Sequence, residues 1–188
     1  MDSFYSRALA DRVLQNGSHG NIICDCLTEV RQIITSPRQF FEGLELTSIR
    51  QPLTFLAVTS IVPAVFSGIH ATSAWEALLE WGLTILLMSL GALILHATMK
   101  CVGGKGTLLS TFAVAAYTEG AIGLFAFLPL IGWLASLYGL VIAERGLEHF
   151  HKLGWIRLSL AVPLGVFFVI CVVGVGGYIY WHSFKGAF

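Results

Sequence analysis

The sequence predicts an all-α integral membrane protein, a bundle of five transmembrane helices with an N-terminal amphipathic helix at the membrane interface. Three observations predict this class. Hydrophobic residues make up 56% of the 188-residue chain, and charged residues only 12%. The apolar residues come in long runs, which the few polar residues could not cover if they formed a soluble core. Ten of the eleven Lys and Arg residues fall on one side of the membrane when these runs are taken as five spans.

Residues 1–50 are the only sizeable polar region and are expected to form a cytoplasmic helical part. Within it, Ser36 and Pro37 predict the start of a short helix, as N-cap and first helical residue. This helix is predicted to lie flat on the membrane, with its apolar side chains in the acyl boundary. Those side chains are Phe40, Phe41 and Leu44.

Residues 51–183 are predicted to form the membrane domain. Its five spans cover residues 52–69, 75–99, 107–126, 130–143 and 158–181. A helix needs about 20 apolar residues to cross the hydrocarbon core, so the first and fourth spans are short and the fifth is long. Pro63 lies inside the first span and predicts a kink there. A tight reversal at Leu128 and Pro129 separates the third span from the fourth.

The distribution of charge predicts the orientation. The N-terminal region and the loops after the second and fourth spans carry ten basic residues, and only Lys185 falls on the other side. The positive-inside rule then predicts a cytoplasmic N-terminus and an external C-terminus. Trp75, Trp133 and Trp181 fall near the outer interface, as an aromatic belt should.

Four motifs point to a known family. They are SPRQFFEGL at 36–44, GGKGT at 103–107, FAVAAY at 112–117 and GLEH at 146–149. Over residues 35–180 the chain resembles the Yip family, the Ypt-interacting-protein-like polytopic membrane proteins, and is similar to its short prokaryotic members. The resemblance implies five spans, a cytosolic N-terminus and, from the similarity to prokaryotic members, a location in the cytoplasmic (inner) membrane of a prokaryote. Eukaryotic relatives contact Rab-type GTPases through longer N-terminal regions, so the resemblance is taken to imply the fold and not the Rab partner.

Acidic residues inside the predicted spans form the main candidate site. Glu80 is expected about 8 Å below the outer end of the second span, and Glu119 roughly 12 Å below that of the third. Glu76 lies one turn above Glu80, and His70 ends the first span on the same side. Because charged carboxylates are costly in lipid, they face the bundle interior, pair or become neutral.

These four residues predict an outward-opening site for a cation, a metal or a proton, since carboxylate with imidazole suits a divalent transition metal. The site residues are Glu76, Glu80, Glu119 and His70. The alternative is that Glu76 lies at headgroup level and that the other two carboxylates connect helices, one of them protonated. A divalent cation in this site is the one cofactor considered, and otherwise none is expected.

Other polar motifs are interpreted as structural. Residues 103–107 lack the spacing and the strand–helix context of a phosphate loop and predict a cytoplasmic turn, with Lys105 at the headgroups. His96, near the inner end of the second span, is interpreted as an interfacial histidine. Glu144 and Arg145 are typical of a solvated helix end, where Arg145 can pair with Glu148.

The four cysteines are expected to be free thiols, because nothing suggests a secreted disulfide framework. His19, Cys24 and Cys26 could hold a soft metal. Their spacing is not one of the strong zinc patterns, however, and a fourth ligand is missing.

Two functions remain open. In the first, the chain is a non-enzymatic scaffold that binds partners through its cytoplasmic face, residues 1–50 and the turn at 103–107. In the second, it is a channel or transporter that moves a cation or small solute past Glu80 and Glu119. The resemblance favours the first function, and the acids favour the second. The expected partners are membrane lipids, a second copy of the chain and a cytoplasmic protein, but not nucleic acid, because the net charge is zero.

Overall fold

A computed structural model describes residues 22–70, 74–125 and 128–165, and within these ranges the chain is helical without strands. The helices are α1 Ile22–Thr35, α2 Pro37–Glu42, α3 Arg50–Thr59, α4 Ile61–His70, α5 Ala74–Cys101, α6 Leu108–Gly123, α7 Pro129–His151 and α8 Trp155–Gly165. The all-α prediction is confirmed for the described residues.

Two of these helices have the length and composition of membrane spans. They contain the apolar segments Trp81–Cys101 and Leu130–His151, of 21 and 22 residues. At 1.5 Å per residue, each segment covers a hydrocarbon core of about 30 Å. Over 18 apolar residues of each segment, only 17% and 28% are buried inside the protein, whereas the core helix of a soluble protein would be mostly buried. Their exposed leucines, such as Leu86 and Leu130, therefore fit contact with lipid.

The remaining predicted spans are shorter or incomplete in the described part of the chain. Arg50–Phe66 and Trp155–Gly165 are apolar helical stretches below full spanning length, and α6 has 16 residues. Residues 166–181 of the predicted fifth span lie outside the described residues. The number of spans therefore stays a prediction.

The predicted first span consists of two helices, with the break at Ser60. Pro63 has no N–H group, so it leaves the carbonyl of Thr59, four residues earlier, without its helical donor. The chain therefore breaks one turn before the proline. Trp81 of α5 packs at this point and donates from Nε1 to the hydroxyl of Ser60 at 2.9 Å and to the carbonyl of Ala57 at 3.2 Å.

Helix α6 lies at the centre of the described bundle and packs against α1, α3, α5 and α7. Small residues allow these helices to approach closely. A β-carbon on Gly120 would lie 2.5 Å from the Phe55 ring and 2.5 Å from the hydroxyl of Thr59. Gly139 of α7 is in similarly close contact with Ile122.

The short helix before the first span is present as α2, but its predicted placement is wrong at the residues that were to anchor it in lipid. Phe40 is 2% exposed and Phe41 is fully buried, and both belong to the protein core. Their rings lie 5.0 Å from Tyr117 and 6.3 Å from Phe150, respectively, between centroids. Gly146 explains the difference, because a β-carbon there would lie 2.9 Å from the Phe41 ring. The missing side chain leaves the space that Phe41 fills.

Leu44, the third side chain predicted in the acyl boundary, is partly buried and packs against the same core. The apolar face of α2 is therefore directed into the bundle.

Candidate functional site at the inner end of the bundle

Of the four predicted site residues, only Glu119 has a described side chain. It is half-buried on α6, and its Oε1 atom lies 3.8 Å from the position of a β-carbon on Gly123, one turn later. The backbones of His70, Glu76 and Glu80 are helical, but their side chains lie outside the described residues. The approach of Glu80 to Glu119 therefore stays a prediction. The side chains that are described contain no group of three or more residues suited to holding a metal ion.

A different polar cluster is present at the other end of the bundle, where α5, α6 and α7 meet. The hydroxyl of Thr111 lies 2.9 Å from Nδ1 of His96 and 2.8 Å from Nε2 of His151. Thr111 and His151 are fully buried, and His96 is half-buried. This His–Thr–His cluster connects three helices through one hydroxyl group.

The loop at residues 103–107 closes over this cluster. The N–H of Gly104 donates to the carbonyl of Met99 at 2.8 Å, and the N–H of Lys105 donates to the carbonyl of His151 at 3.0 Å. Gly103 has φ of +90°, a conformation that side chains disfavour. The loop ends at Thr107, whose hydroxyl caps α6 by accepting from the N–H of Ser110.

Two glycines of this loop lie directly against the buried imidazole. A β-carbon on Gly104 would lie 2.6 Å from Nδ1 of His151, and one on Gly106 would lie 2.8 Å from its Nε2. Both distances are too short for non-bonded atoms, so any other residue would displace the ring or the loop. The glycines of the motif therefore make room for a histidine.

Hydrogen-bond counting assigns the proton on His151. The hydroxyl of Thr111 has one proton to donate, and the carbonyl of Thr107, 3.2 Å away, can only accept. Nδ1 of His151 is buried without a hydrogen-bond partner, and a proton there would be an unpaired buried donor. The cluster is best satisfied with a neutral His151 that donates from Nε2 to Thr111. In this state it fastens the three helices together.

Sequence reasoning missed His151 and interpreted His96 as an interfacial residue. Similar depth in the second and third predicted spans could have paired His96 with Thr111. It gave no signal for His151, because the predicted fourth span ends at residue 143, eight residues earlier.

These helices carry the motifs by which the chain resembles a known family. A comparison with family patterns tests whether the chain belongs to it. The Yip1 domain pattern matches residues 31–177. The chain belongs to the Yip1 domain family. No curated protein and no solved structure matches it. The predicted family is confirmed, and the chain is a membrane protein of that family.

The Yip1 domain also presents a charged surface, formed by α2 and the last turns of α7. Arg38 pairs with Glu42 at 2.8 Å, and Arg145 pairs with Glu148 at 3.1 Å. The hydrogen bond and charge of Glu42 raise the pKa of the Arg38 guanidinium, with a smaller contribution from Glu148. The side chains are 42–75% exposed, as expected for the solvated helix end predicted at Arg145.

The cysteines on α1 do not converge on one site. Cys24 is exposed, whereas Cys26 is buried against the core of the Yip1 domain, and both are free thiols, as is Cys101. Burial raises the pKa of the Cys26 thiol, and the negative charges of Glu29 and Asp25 add to this. His19 and Cys171 lie outside the described residues.

Proposed function

We propose that this Yip1-domain chain is a non-enzymatic membrane scaffold that binds a cytoplasmic protein. It spans the prokaryotic inner membrane five times, with the N-terminus in the cytoplasm and the C-terminus outside. The distribution of Lys and Arg supports this orientation. The charged surface of α2 and α7 then faces the cytoplasm.

The observation that carries the proposal is the anchoring of α2 by two aromatic residues. Phe40 and Phe41 are buried in the core, so this six-residue helix is held against α7 with its polar face exposed. Its charged residues are thereby presented beside Arg145 and Glu148 in one arrangement. A surface that is ordered before binding loses little entropy when a partner binds, and its charges select that partner.

The packing at the centre of the bundle supports a scaffold over a transporter. The ring of Tyr117 on α6 lies 5.0 Å from that of Phe40 and 4.8 Å from that of Phe55, between centroids. These side chains fill the space between α2, α3 and α6, where a solute path would need polar groups or water.

The test is site-specific photo-crosslinking in native membranes. In one variant, a photoreactive residue replaces Gln39, which is exposed on α2. In a separate control variant, it replaces Leu86, which is exposed on α5. We expect a discrete protein adduct from position 39 only. The charge reversals Arg38→Glu and Arg145→Glu should remove this adduct, whereas Arg50→Glu, an equal charge change outside the surface, should leave it unchanged.

Adducts of equal yield from positions 39 and 86, or an adduct that survives both charge reversals, would contradict the scaffold. An adduct with twice the mass of the chain would identify the partner as a second copy and replace the hetero-partner with self-association.

The second candidate function, transport of a cation or small solute, is supported by the half-buried carboxylate of Glu119 on the central helix. If Glu119 binds a divalent cation, the metal should raise the melting temperature of the wild type, with a stabilisation that grows as the logarithm of metal concentration over Kd. Glu119→Gln keeps the side-chain shape and should abolish the shift. Equal shifts in both proteins would place the metal elsewhere. If metal changes the melting temperature of neither protein, and no ion flux is found in liposomes, the transport function is wrong and the scaffold function remains.

A further inference from the structure

We propose that the glycine loop and its surroundings bind the phosphate of one anionic phospholipid headgroup, held by Lys100, Lys105 and Arg157. This site is separate from the charged surface proposed to bind a protein. Its ligand is a lipid of the inner leaflet.

The position of the loop is the first argument. The candidate spans Trp81–Cys101 and Leu130–His151 both end beside it, and the hydrogen bond from Lys105 N–H to the His151 carbonyl joins the two ends. The ends of apolar helices that cross a bilayer lie at the level of the lipid headgroups. The end of the bundle that carries the loop and the exposed pair Arg145–Glu148 is therefore held at the level of the lipid headgroups.

Three basic residues lie on or against this loop. The carbonyl of Lys100 accepts a hydrogen bond from the N–H of Gly103 at 3.0 Å, which places Lys100 at the base of the loop. Nη1 of Arg157 lies 3.7 Å from the position of a β-carbon on Gly103. Lys105 is part of the loop itself, and all three basic residues are exposed.

Among the described residues, no acid forms an ion pair with any of these three cations. The ion pairs found among the described residues are Arg38–Glu42 and Arg145–Glu148. Glu144, the other acid of α7, accepts a hydrogen bond from Ser159 at 3.0 Å. A triad of unpaired cations at headgroup level attracts anionic lipid, and an Arg can hold a phosphate through two parallel hydrogen bonds.

The N-terminus of α6 adds to this attraction. The first N–H groups of a helix have no partner within it, and the helix dipole favours an anion there. The hydroxyl of Thr107 accepts from the N–H of Ser110. Among the described residues, no hydrogen bond is found for the N–H groups of Leu108 and Leu109, which follow Lys105 by three and four residues and are available to a ligand.

Exposed apolar residues beside the cations indicate a lipid rather than free phosphate. Trp155, two residues before Arg157, is 66% exposed, and Leu108, at the start of α6, is 45% exposed. A Trp at the membrane interface packs its ring beside lipid headgroups and upper acyl chains. The site thus combines contacts for a phosphate with contacts for an acyl chain.

The buried histidine orders this site without touching the ligand. Gly104 and Gly106 lie against the imidazole of His151, which fixes the path of the loop between α5 and α6. His151 is therefore a positioning residue. Ordering the loop before the lipid binds reduces the entropy lost on binding.

The test is native mass spectrometry of the purified full-length chain in a zwitterionic detergent, titrated with phosphatidylglycerol. We expect the wild type to retain one molecule of this lipid in preference to phosphatidylcholine. The triple variant Lys100→Gln, Lys105→Gln, Arg157→Gln should bind it at least about tenfold more weakly, since each cation near the membrane surface contributes to the attraction.

A charge-matched control separates a specific site from general attraction. The double variant Arg31→Gln, Arg50→Gln loses two positive charges from exposed positions outside both proposed surfaces and should bind the lipid as the wild type does. Its charge-matched counterpart in the loop, Lys105→Gln with Arg157→Gln, should bind the lipid more weakly. If the loop variant fails to fold in the detergent, single variants decide: Lys105→Gln should weaken binding, whereas Lys105→Arg should bind the lipid as the wild type does. Equal losses in the loop and control variants would overturn the proposal, as would wild-type binding by the loop variant.

Inorganic phosphate is the remaining arm of the experiment. Millimolar phosphate should leave the bound lipid in place, because it lacks the acyl chain. If phosphate displaces the lipid, or raises the melting temperature as much as the lipid does, the site binds free phosphate and the proposal of a lipid ligand is wrong. The outcome is independent of the crosslink at position 39, so either proposal can fail alone.

Discussion

His151 illustrates how one buried side chain explains a motif at residue scale. Its imidazole lies against Gly104 and Gly106, and its Nε2 atom reaches the hydroxyl of Thr111. The glycine pattern resembles a phosphate loop in composition, but its glycines provide space for a ring. The hydroxyl then matters more than its size suggests, because it is the hydrogen-bond partner of two imidazoles.

Replacing Thr111 by Val should destabilise the protein by about 1–3 kcal/mol, because a buried N–H of His151 loses its acceptor. The measurement is thermal or denaturant unfolding in detergent. Thr111→Ser keeps the hydroxyl and should retain most of the stability. Similar losses in the two variants would show that the methyl group, and not the hydrogen bonds, is responsible.

The two cysteines of α1 should differ in reactivity with a maleimide in single-cysteine variants. Alkylation requires the thiolate, and the raised pKa of Cys26 keeps it protonated to higher pH. Its burial also limits access. We expect Cys24 to react readily at neutral pH and Cys26 to react only at higher pH or after unfolding. Equal rates at neutral pH would contradict the placement of α1.

At the scale of elements, α2 shows that an amphipathic helix beside a membrane need not bind lipid. Both of its phenylalanines enter the core, and Phe41 fills a space that exists because residue 146 is a glycine. Amphipathicity predicts that one face is apolar, but it does not say whether lipid or protein covers that face. The packing partner decides this, and it lies about 100 residues further along the chain.

Phe41→Ala should therefore cost about 3–5 kcal/mol of stability, as expected for a large aromatic removed from a packed core. Unfolding of the purified protein in detergent measures this. Gln39→Ala, on the exposed face of the same helix, should change stability by less than about 0.5 kcal/mol. If Phe41→Ala changes the stability as little as Gln39→Ala does, the ring contacts lipid or detergent. The predicted position of α2 at the membrane interface would then be correct.

At the scale of the whole molecule, the Yip1-domain chain is organised around α6, which other helices surround. Charged residues collect at one end of this arrangement, and exposed leucines cover the long helices α5 and α7. This division predicts which end faces the cytoplasm, because basic residues remain on that side of the membrane.

A membrane-impermeant thiol reagent should test this orientation in a variant whose only cysteine is Cys24. Labelling is expected only after the cytoplasmic side has been opened, because Cys24 is exposed and precedes the first predicted span. Labelling in intact cells would invert the proposed topology.

The sequence by itself determined the class, the family and the position of the helices α2, α5, α6 and α7. Long apolar runs, Ser36–Pro37 and the glycine loop are local signals, and local signals suffice for these features. The sequence predicted a kink at Pro63, and the structure has a break at Ser60. The kink and the break have the same cause, which is the missing N–H group of the proline.

Only the tertiary structure decided which groups meet. It placed Phe40 and Phe41 in the core and joined His96, Thr111 and His151, which lie up to 55 residues apart, through one hydroxyl. It also placed Arg157 against Gly103. Such contacts depend on how helices are rotated and paired, which is set by packing between distant residues. Periodicity along a single helix does not contain that information.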